Sequence, residues 1–182
     1  MVPDRQVAEM SDTELLGVLS SDDQAFRELI RRHQRSMRRL ARSMLRNTGD
    51  ADEAVQDSLL AAYRHARSFR GDASVRSWLH AICYRQCLTR LRRARLDLVP
   101  LDSAMSLSGP ESGPLLPFYL EAAVAGLPVD NQAAFVLVDV LGFTREDAAT
   151  IVGVPANTMR ARVARARLLL ADAVADVAEV HP

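Results

Sequence analysis

Apolar side chains recur every three or four residues through most of the chain, which is the spacing of one face of an α-helix. The clearest stripe continues for about five turns, and arginines occupy most of the opposite side. Its members are Phe26, Leu29, Ile30, His33, Met37, Leu40, Ala41, Met44 and Leu45. Ser11 and Glu14 have the spacing of a capping box, which predicts a short helix through Leu19, and a second start at Ser21 opens the long helix.

Two further helices are predicted in the first half of the chain. Residues 47–50 interrupt the stripe, and Asp50 with Glu53 begins the next helix. Its apolar side chains are Ala54, Val55, Leu59, Ala62, Tyr63 and Ala66. A turn at 68–72 precedes a fourth helix over about residues 74–96. One face of this helix carries Val75, Leu79, Ile82, Cys83 and Gln86.

The composition changes between residues 97 and 117, which contain four Pro, two Gly and four Ser. Because Pro removes amide donors and Gly adds chain entropy, this stretch predicts an extended, flexible linker. Helices are predicted after it over residues 118–125, 128–141, 144–152 and 155–177. No strand pattern stands out. The sequence therefore predicts an all-α protein of two small helical domains, residues 1–97 and 118–182, joined by a linker at 98–117.

Residues 144–167 have the pattern of a helix-turn-helix. Ala149 and Gly153 lie four residues apart, where a small side chain lets two helices cross closely and Gly permits the turn. The second helix presents side chains suited to a DNA major groove, in which Arg binds guanine edges or phosphates. They are Asn157, Arg160, Arg162, Arg165 and Arg167. A helical hairpin with a merely basic face, or a regulator of another family, would share this pattern.

The net charge of zero conceals two basic blocks. Residues 24–97 hold 17 Arg against 7 acidic residues, and residues 160–167 hold four Arg and no acidic residue. Such blocks suit two surfaces that bind a polyanion, with a solvated helix face as the alternative for each. All 23 basic residues are Arg, a bias that a GC-rich genome explains as well as function does.

No apolar run is long enough to span a membrane, and residues 1–10 lack the apolar core of a secretory signal. We therefore expect a cytoplasmic protein without membrane insertion. Cys83 and Cys87 lie four residues apart on one helix, with His80 on the same strip. This spacing matches neither a usual zinc site nor a disulfide. The two cysteines are interpreted as small buried apolar residues, and no metal or cofactor is predicted.

Two sets of residues closely resemble the extracytoplasmic-function (ECF) sigma factors of bacterial RNA polymerase. The sequences GDADEAVQDSLLAAY at 49–63, FRGDAS at 69–74 and SWL at 77–79 are similar to region 2 of that family. Similar to its region 4 are LP at 127–128, AF at 134–135, GFT at 142–144, GVP at 153–155 and TMRAR at 158–162. The resemblance covers about residues 22–97 and 118–170. It implies a two-domain subunit that directs RNA polymerase to promoters.

The resemblance implies that the helix after Asp50 docks on core RNA polymerase. The residues implied in docking are Asp52, Glu53, Gln56, Asp57 and Leu60. The alternative is that Asp50 and Glu53 cap the helix and favour its positive end. Capping and docking are compatible with each other.

The loop at 68–72 is similar to the loop with which the family holds a melted base of the minus-ten element. Such a loop needs an aromatic or a guanidinium to cover the base and positive charge for the backbone. The residues implied are Phe69, Arg70, Gly71, Asp72, Arg76, Trp78 and Arg85, with Arg90 as a further phosphate contact. A lone Trp on an amphipathic helix is nevertheless more often a core residue. The residues implied at the minus-thirty-five duplex are Asn157, Thr158, Arg160, Ala161, Arg162, Ala164, Arg165 and Arg167.

The expected partners are core RNA polymerase, promoter DNA and, as is common in the family, an anti-sigma factor. A self-sufficient helix-turn-helix regulator would instead form a stable dimer and bind duplex DNA without polymerase. The acidic cluster beside an aromatic and basic loop argues against it. A regulatory protein that docks on polymerase but does not melt DNA is disfavoured by the intact FRGD sequence at 69–72. An enzyme is disfavoured because no nucleophile–base pair, phosphate loop or metal set occurs.

Overall fold

Helices make up most of the described chain. The computed structural model describes residues 4–19, 23–45, 47–96 and 122–180, and no strand occurs among them, so the all-α prediction is confirmed. The helices are α1 (Asp4–Glu9), α2 (Asp12–Val18), α3 (Asp23–Met44), α4 (Thr48–His65), α5 (Val75–Leu96), α6 (122–126), α7 (Val129–Phe135), α8 (Arg145–Val152) and α9 (Ala156–Val180). The predicted linker at 98–117 and the predicted helix start at Ser21 lie outside the described residues.

Helices α3, α4 and α5 pack against one another around the first hydrophobic stripe. From α3 come Leu29, His33, Met37, Leu40 and Met44, all buried and about one turn apart. The buried face of α4 is built from small residues, Ala51, Ala54, Val55, Ser58 and Ala62, which allow its backbone to approach the neighbouring helices closely. On α5, Cys83 and Cys87 are fully buried, and the Cys83 Sγ donates to the Met37 carbonyl oxygen at 3.6 Å. Their interpretation as core residues is confirmed.

Helix α4 begins earlier than the predicted start at Asp50. Asn47 precedes the helix in an extended conformation, and its side-chain oxygen accepts hydrogen bonds from the amides of Gly49 and Asp50, at 2.7 and 3.2 Å. Asn is among the favoured N-cap residues because its oxygen satisfies amides that the first turn leaves free. Asp50 therefore lies in the first turn, where a carboxylate favours the positive end of the helix.

The short helix α2 is fastened to α3 by polar contacts as well as by apolar ones. The predicted capping box at Ser11 and Glu14 is present. Next to it, Asp12 accepts a hydrogen bond from Arg32 (2.9 Å) and approaches the His33 Nε2 at 2.6 Å. Leu15 and Leu16 of α2 are buried beneath this pair. His33 was expected in the apolar core, and it is buried there with an acidic partner.

The second half of the chain contains the predicted helix-turn-helix. Thr144 caps α8 by accepting from the Asp147 amide at 3.0 Å, and Gly153 ends it in the left-handed conformation, with φ of 78°. The predicted helix over 128–141 is not a regular α-helix throughout. After α7 the chain makes a π-helical turn, Val136–Val140, in which the Leu141 amide donates to the Val136 oxygen at 2.8 Å. Gly142, with φ of 70°, then ends it.

The two helical parts pack against each other. Helix α5 contacts α8, and α3 contacts α7. Buried residues of both parts, among them Met37 and Cys83 from the first and Leu137 and Phe143 from the second, belong to one hydrophobic cluster. The division into two domains stays a prediction, and the described helices are arranged in a closed conformation.

Candidate nucleic-acid and protein interfaces

The predicted docking residues form one exposed acidic face of α4. Gln56 and Leu60 lie on the surface, and Leu60 keeps 45% of its area exposed. Each of the three acids is paired with an Arg of a neighbouring helix. Asp52 accepts from Arg38 of α3 at 2.8 Å, whereas Arg90 of α5 donates to both Glu53 (3.0 Å) and Asp57 (2.6 Å). The cluster therefore combines negative charge, an exposed Leu and fixed side chains.

Arg90 was expected to hold DNA phosphates, and the structure places it on the acidic face instead. Its guanidinium is about one-fifth exposed and bridges Glu53 and Asp57. A sequence pattern could not show this pairing, because the residues lie 33 and 37 positions apart. A possible consequence for the helices is mutual support of α4 and α5 beneath the surface that carries the acids.

Phe69 and Trp78 meet at the loop after α4. Their ring centroids are 5.5 Å apart in an edge-to-face arrangement, and Gly71 makes the turn between them with φ of 80°. Trp78 is half-buried and also lines a cavity of about 270 Å³. The other lining residues are Ala61, His65, Ser68, Ile82, Arg85 and Gln86. Trp78 is thus both a packing residue and a wall of an open site.

The predicted minus-ten residues are only partly brought together. Trp78 and Arg85 line the cavity just described, and Phe69 contacts Trp78. Arg70 and Asp72 are exposed on the adjoining loop. Arg76 is elsewhere: its guanidinium donates to the Leu141 carbonyl oxygen and lies over the Phe143 ring, 4.0 Å from its centroid.

His80 completes the contact between α5 and the second half of the chain. It is fully buried, its Nδ1 lies 2.7 Å from the Arg76 carbonyl oxygen, and its ring packs edge-on against Phe143 at 4.9 Å. Burial, together with the charges of Arg76 and His33, lowers the pKa of His80 to about 4. The imidazole is therefore neutral at physiological pH.

The second helix of the helix-turn-helix, α9, buries one face and exposes the other. Met159, Val163, Ala166 and Leu170 face the core. On the exposed side lie Asn157, Arg160, Ala161, Ala164, Arg165 and Leu168, while Thr158 is half-buried. Small residues in the middle of that face permit close approach to DNA.

The four arginines of α9 divide into two pairs. Arg162 donates to Asp130 at 2.7 Å and Arg167 donates to Asp139 at 2.5 Å, so both are fastened to the preceding helical segment. Arg160 and Arg165 are exposed and have no hydrogen-bond or ion-pair partner within the described chain. The pairing acids lie 28 and 32 positions away, where the sequence gave no local sign of them.

Both halves of the chain match models of one protein family. Residues 29–96 match Sigma-70 region 2, and residues 118–170 match Sigma-70 region 4. The ECF RNA polymerase sigma factor SigM of Mycobacterium tuberculosis is 43% identical over 165 residues, covering 90% of this chain and 84% of SigM. The chain belongs to the ECF sigma factors. This sigma factor is 34% identical to EcfG of Rhodopseudomonas palustris over 137 residues, covering 72% of this chain and 75% of EcfG.

Solved structures agree with the assignment of the sigma factor. The sigma factor RpoE of Bartonella quintana, crystallised with the anti-sigma factor NepR, has a TM-score of 0.68 and 27% identity, covering 82% of this chain and 96% of that one. CnrH, in complex with the cytosolic domain of CnrY, has a TM-score of 0.67 over 91% of this chain and 97% of CnrH. Its identity is 23%, so it shows the fold alone.

Sigma factors are DNA-binding regulatory proteins, which bind core RNA polymerase and direct transcription initiation at promoters. This sigma factor has the same function, and the resemblance in its sequence is confirmed. No helix in the described part is long and apolar enough to cross a membrane. Within those same ranges, no group of three or more potential ligands from His, Cys, Asp and Glu could hold a metal ion.

Proposed function

We propose that the acidic face of α4 docks on core RNA polymerase through Asp52, Glu53, Gln56, Asp57 and Leu60. Three carboxylates and an exposed Leu share this surface. Arg38 and Arg90 hold the acids in place, which reduces the side-chain entropy that is lost on binding. The interface thus has an apolar centre and a charged rim, as protein interfaces commonly do.

The loop after α4 takes the melted minus-ten strand. The cavity beside Trp78 is open, and Arg85 at its edge supplies a cation for a phosphate. The edge-to-face contact of Phe69 with Trp78 fixes both rings before DNA arrives. Arg70, Gly71 and Asp72 form the adjoining turn. This arrangement of aromatic wall, cavity and cation carries the proposal, because it is what an unstacked base requires.

The exposed face of α9 reads the minus-thirty-five element in duplex form. Arg160 and Arg165 are the free guanidinium groups of this face, and Ala161 and Ala164 lie between them. Asn157 and Thr158 lie at the start of the helix, the end that enters the groove in helix-turn-helix proteins. Arg162 and Arg167 flank this face and fix its orientation through Asp130 and Asp139.

The closed conformation opens when the sigma factor meets polymerase. In the closed form Arg76 is occupied by Leu141 and Phe143, so it is withheld from DNA. The two domains, residues 1–97 and 118–182, then bind their separate elements on one tether, which raises their effective concentration for each other's site. The protein acts by binding rather than as an enzyme and does so in the cytoplasm, with an anti-sigma factor as a partner of the kind seen with RpoE.

Reconstituted transcription tests this function. Sigma-free core polymerase is combined with genomic promoter fragments, with and without the protein. We expect fragment-specific initiation that depends on the protein and is lost on reversing the charges with Asp52→Arg and Glu53→Arg. Reversal at the exposed Glu9 and Asp172, outside the proposed face, is the matched control. Circular dichroism establishes that each variant is folded.

Failure of the wild-type protein to support initiation, together with tight duplex binding by the protein alone, would contradict the proposal. Such a result would favour a self-sufficient regulator. Equal transcription by the Asp52/Glu53 and the Glu9/Asp172 variants would place the docking surface elsewhere. The first outcome rejects the function and the second rejects only the assigned face.

A further inference from the structure

A second cavity lies on the other side of Phe69 from the one beside Trp78. Its volume is about 580 Å³, within the range of sites that hold small organic groups. Helix α2 forms one wall and the end of α4 with its following turn forms the other. The lining residues are Thr13, Leu16, Gly17, Tyr63, Arg64, Ala66, Arg67 and Phe69. None of the residues contributed by α2 was singled out by the sequence patterns.

The walls of this cavity carry aromatic rings and cations. Tyr63 is 39% exposed and its ring is held by Phe26, with centroids 5.0 Å apart. Phe69 is held on its other side by Trp78. Arg64 and Arg67 are exposed, and neither has an ion-pair partner in the described ranges. Rings for stacking and free guanidinium groups for phosphates are the combination that binds single-stranded nucleic acid.

The α2 wall is fixed in position before a ligand arrives. Asp12 ties α2 to α3 through Arg32 and His33, and the capping box holds its first turn. Leu15 and Leu16 anchor its inner face. A wall held in this way lowers the entropic cost of binding.

Gly17 keeps the space open at the centre of the α2 wall. A Cβ atom built there meets no atom within 4 Å, so a side chain at this position would extend into free space without displacing the core. Gly inside a helix is otherwise unfavourable compared with residues that carry a side chain. The position therefore offers a way to fill the cavity while leaving the fold intact.

We propose that this cavity holds a second unstacked base of the melted promoter strand, with Arg64 and Arg67 on the adjoining phosphates. The strand would pass from the cavity beside Trp78, over the Phe69 edge, into the cavity beside α2. Single-stranded DNA is the occupant because the site is continuous, through Phe69, with the first base site and carries positive charge on its rim. The inference rests on the proposed function.

Filling the cavity with Gly17→Trp tests this inference. The matched control is Gly126→Trp, since Gly126 also has nothing within 4 Å of a Cβ and lies on α6, remote in the sequence from this site. Holoenzyme is assembled with each variant and bound to fork-junction DNA bearing the non-template strand of a promoter found by transcription. We expect Gly17→Trp to weaken binding at least tenfold and Gly126→Trp to leave it unchanged. Affinity for core polymerase should be the same in both.

Abasic substitution along the non-template strand locates the base. With wild-type holoenzyme, one abasic position in addition to that read beside Trp78 should weaken binding, and Gly17→Trp should abolish that additional penalty. Equal abasic profiles for Gly17→Trp and Gly126→Trp would overturn the inference. So would weaker core binding by Gly17→Trp, which would mark a protein contact, or binding of a free mononucleotide that oligonucleotide does not displace.

The outcomes separate this inference from the function itself. If wild-type protein supports promoter-specific initiation and Gly17→Trp behaves as the control does, only the second base site is rejected. If wild-type protein supports no initiation on any fragment, the function is rejected together with the inference.

Discussion

The guanidinium carbon of Arg76 lies 4.0 Å from the centroid of the Phe143 ring. Arg76 comes from the start of α5 and Phe143 from the turn before α8, so the contact joins the two halves of the chain. The same guanidinium donates to the Leu141 carbonyl oxygen, and His80 packs on the same ring. A residue expected to contact promoter DNA is thus held by the part of the chain expected to read another element.

Replacing Phe143 with Leu should favour the open conformation. Leu keeps most of the apolar volume and removes the ring, and a cation–π contact contributes about 0.5–2 kcal/mol. The ratio of closed to open protein should fall by roughly 2- to 30-fold, seen as a larger radius of gyration in small-angle X-ray scattering. Phe26→Leu, which alters a ring contact within the first half, is the control. Identical scattering of Phe143→Leu and wild type would show that the ring does not maintain closure.

His80 should make stability fall as the pH is lowered. Its pKa in the folded protein is about 4, below the ordinary value of 6.5, so the unfolded chain takes up the proton first. The stabilisation present above pH 6.5 should decline between about pH 6.5 and 4, by roughly 2–3 kcal/mol at most. Urea unfolding of wild type and His80→Asn across this range measures the effect. Parallel pH curves for the two proteins would assign the pH dependence to other groups.

Arg165 and Arg162 should differ in what they contribute. Arg165 has no described partner, so Arg165→Ala should weaken binding to minus-thirty-five duplex by roughly 1–3 kcal/mol with little change in stability. Arg162 pairs with Asp130, so Arg162→Ala should have the smaller effect on binding and cost up to about 1 kcal/mol of stability. Fluorescence anisotropy on the duplex and thermal unfolding separate the two effects. A larger binding loss for Arg162→Ala would reverse the assignment.

Removing the Asp12 carboxylate should loosen α2. Asp12→Ala leaves Arg32 and the buried His33 without this partner, and we expect a loss of about 1–3 kcal/mol in the free energy of unfolding. Asp12→Asn should lose less, because its side-chain oxygen still accepts a hydrogen bond. Urea denaturation measures both, with Glu9→Ala as an exposed control. Equal stability of Asp12→Ala and Glu9→Ala would show that the contacts of Asp12 stabilise nothing.

The sequence predicted the elements whose signals are local. The stripe from Phe26 to Leu45 predicted α3, because a buried helical face repeats with the helical period. Gly153 and Thr144 marked the ends of α8 correctly, since each acts through its own backbone or its neighbour's. The start of α4 was placed late because Asn47 was read as part of the break rather than as the cap.

Contacts between distant segments escaped prediction for a physical reason. Nothing near Arg90 or Arg162 in the sequence shows which carboxylate each will meet, because the partners come from other helices. The closed contact of Arg76 with Phe143 depends in the same way on how the two halves pack. The candidate residues could therefore be named from the sequence, whereas their division into exposed and paired groups required the fold.

The π-helical turn at Val136–Val140 makes the interface sensitive to chain length. Such a turn holds one residue more than an α-helical turn, and here it comes directly before Leu141, Gly142 and Phe143. Deleting a single codon within it would restore regular helix and rotate everything that follows by about 100° around the helix axis. Phe143 would then leave α5 without any change in its own chemistry. One inserted or deleted residue is thus enough for evolution to couple or uncouple the two halves of such a protein.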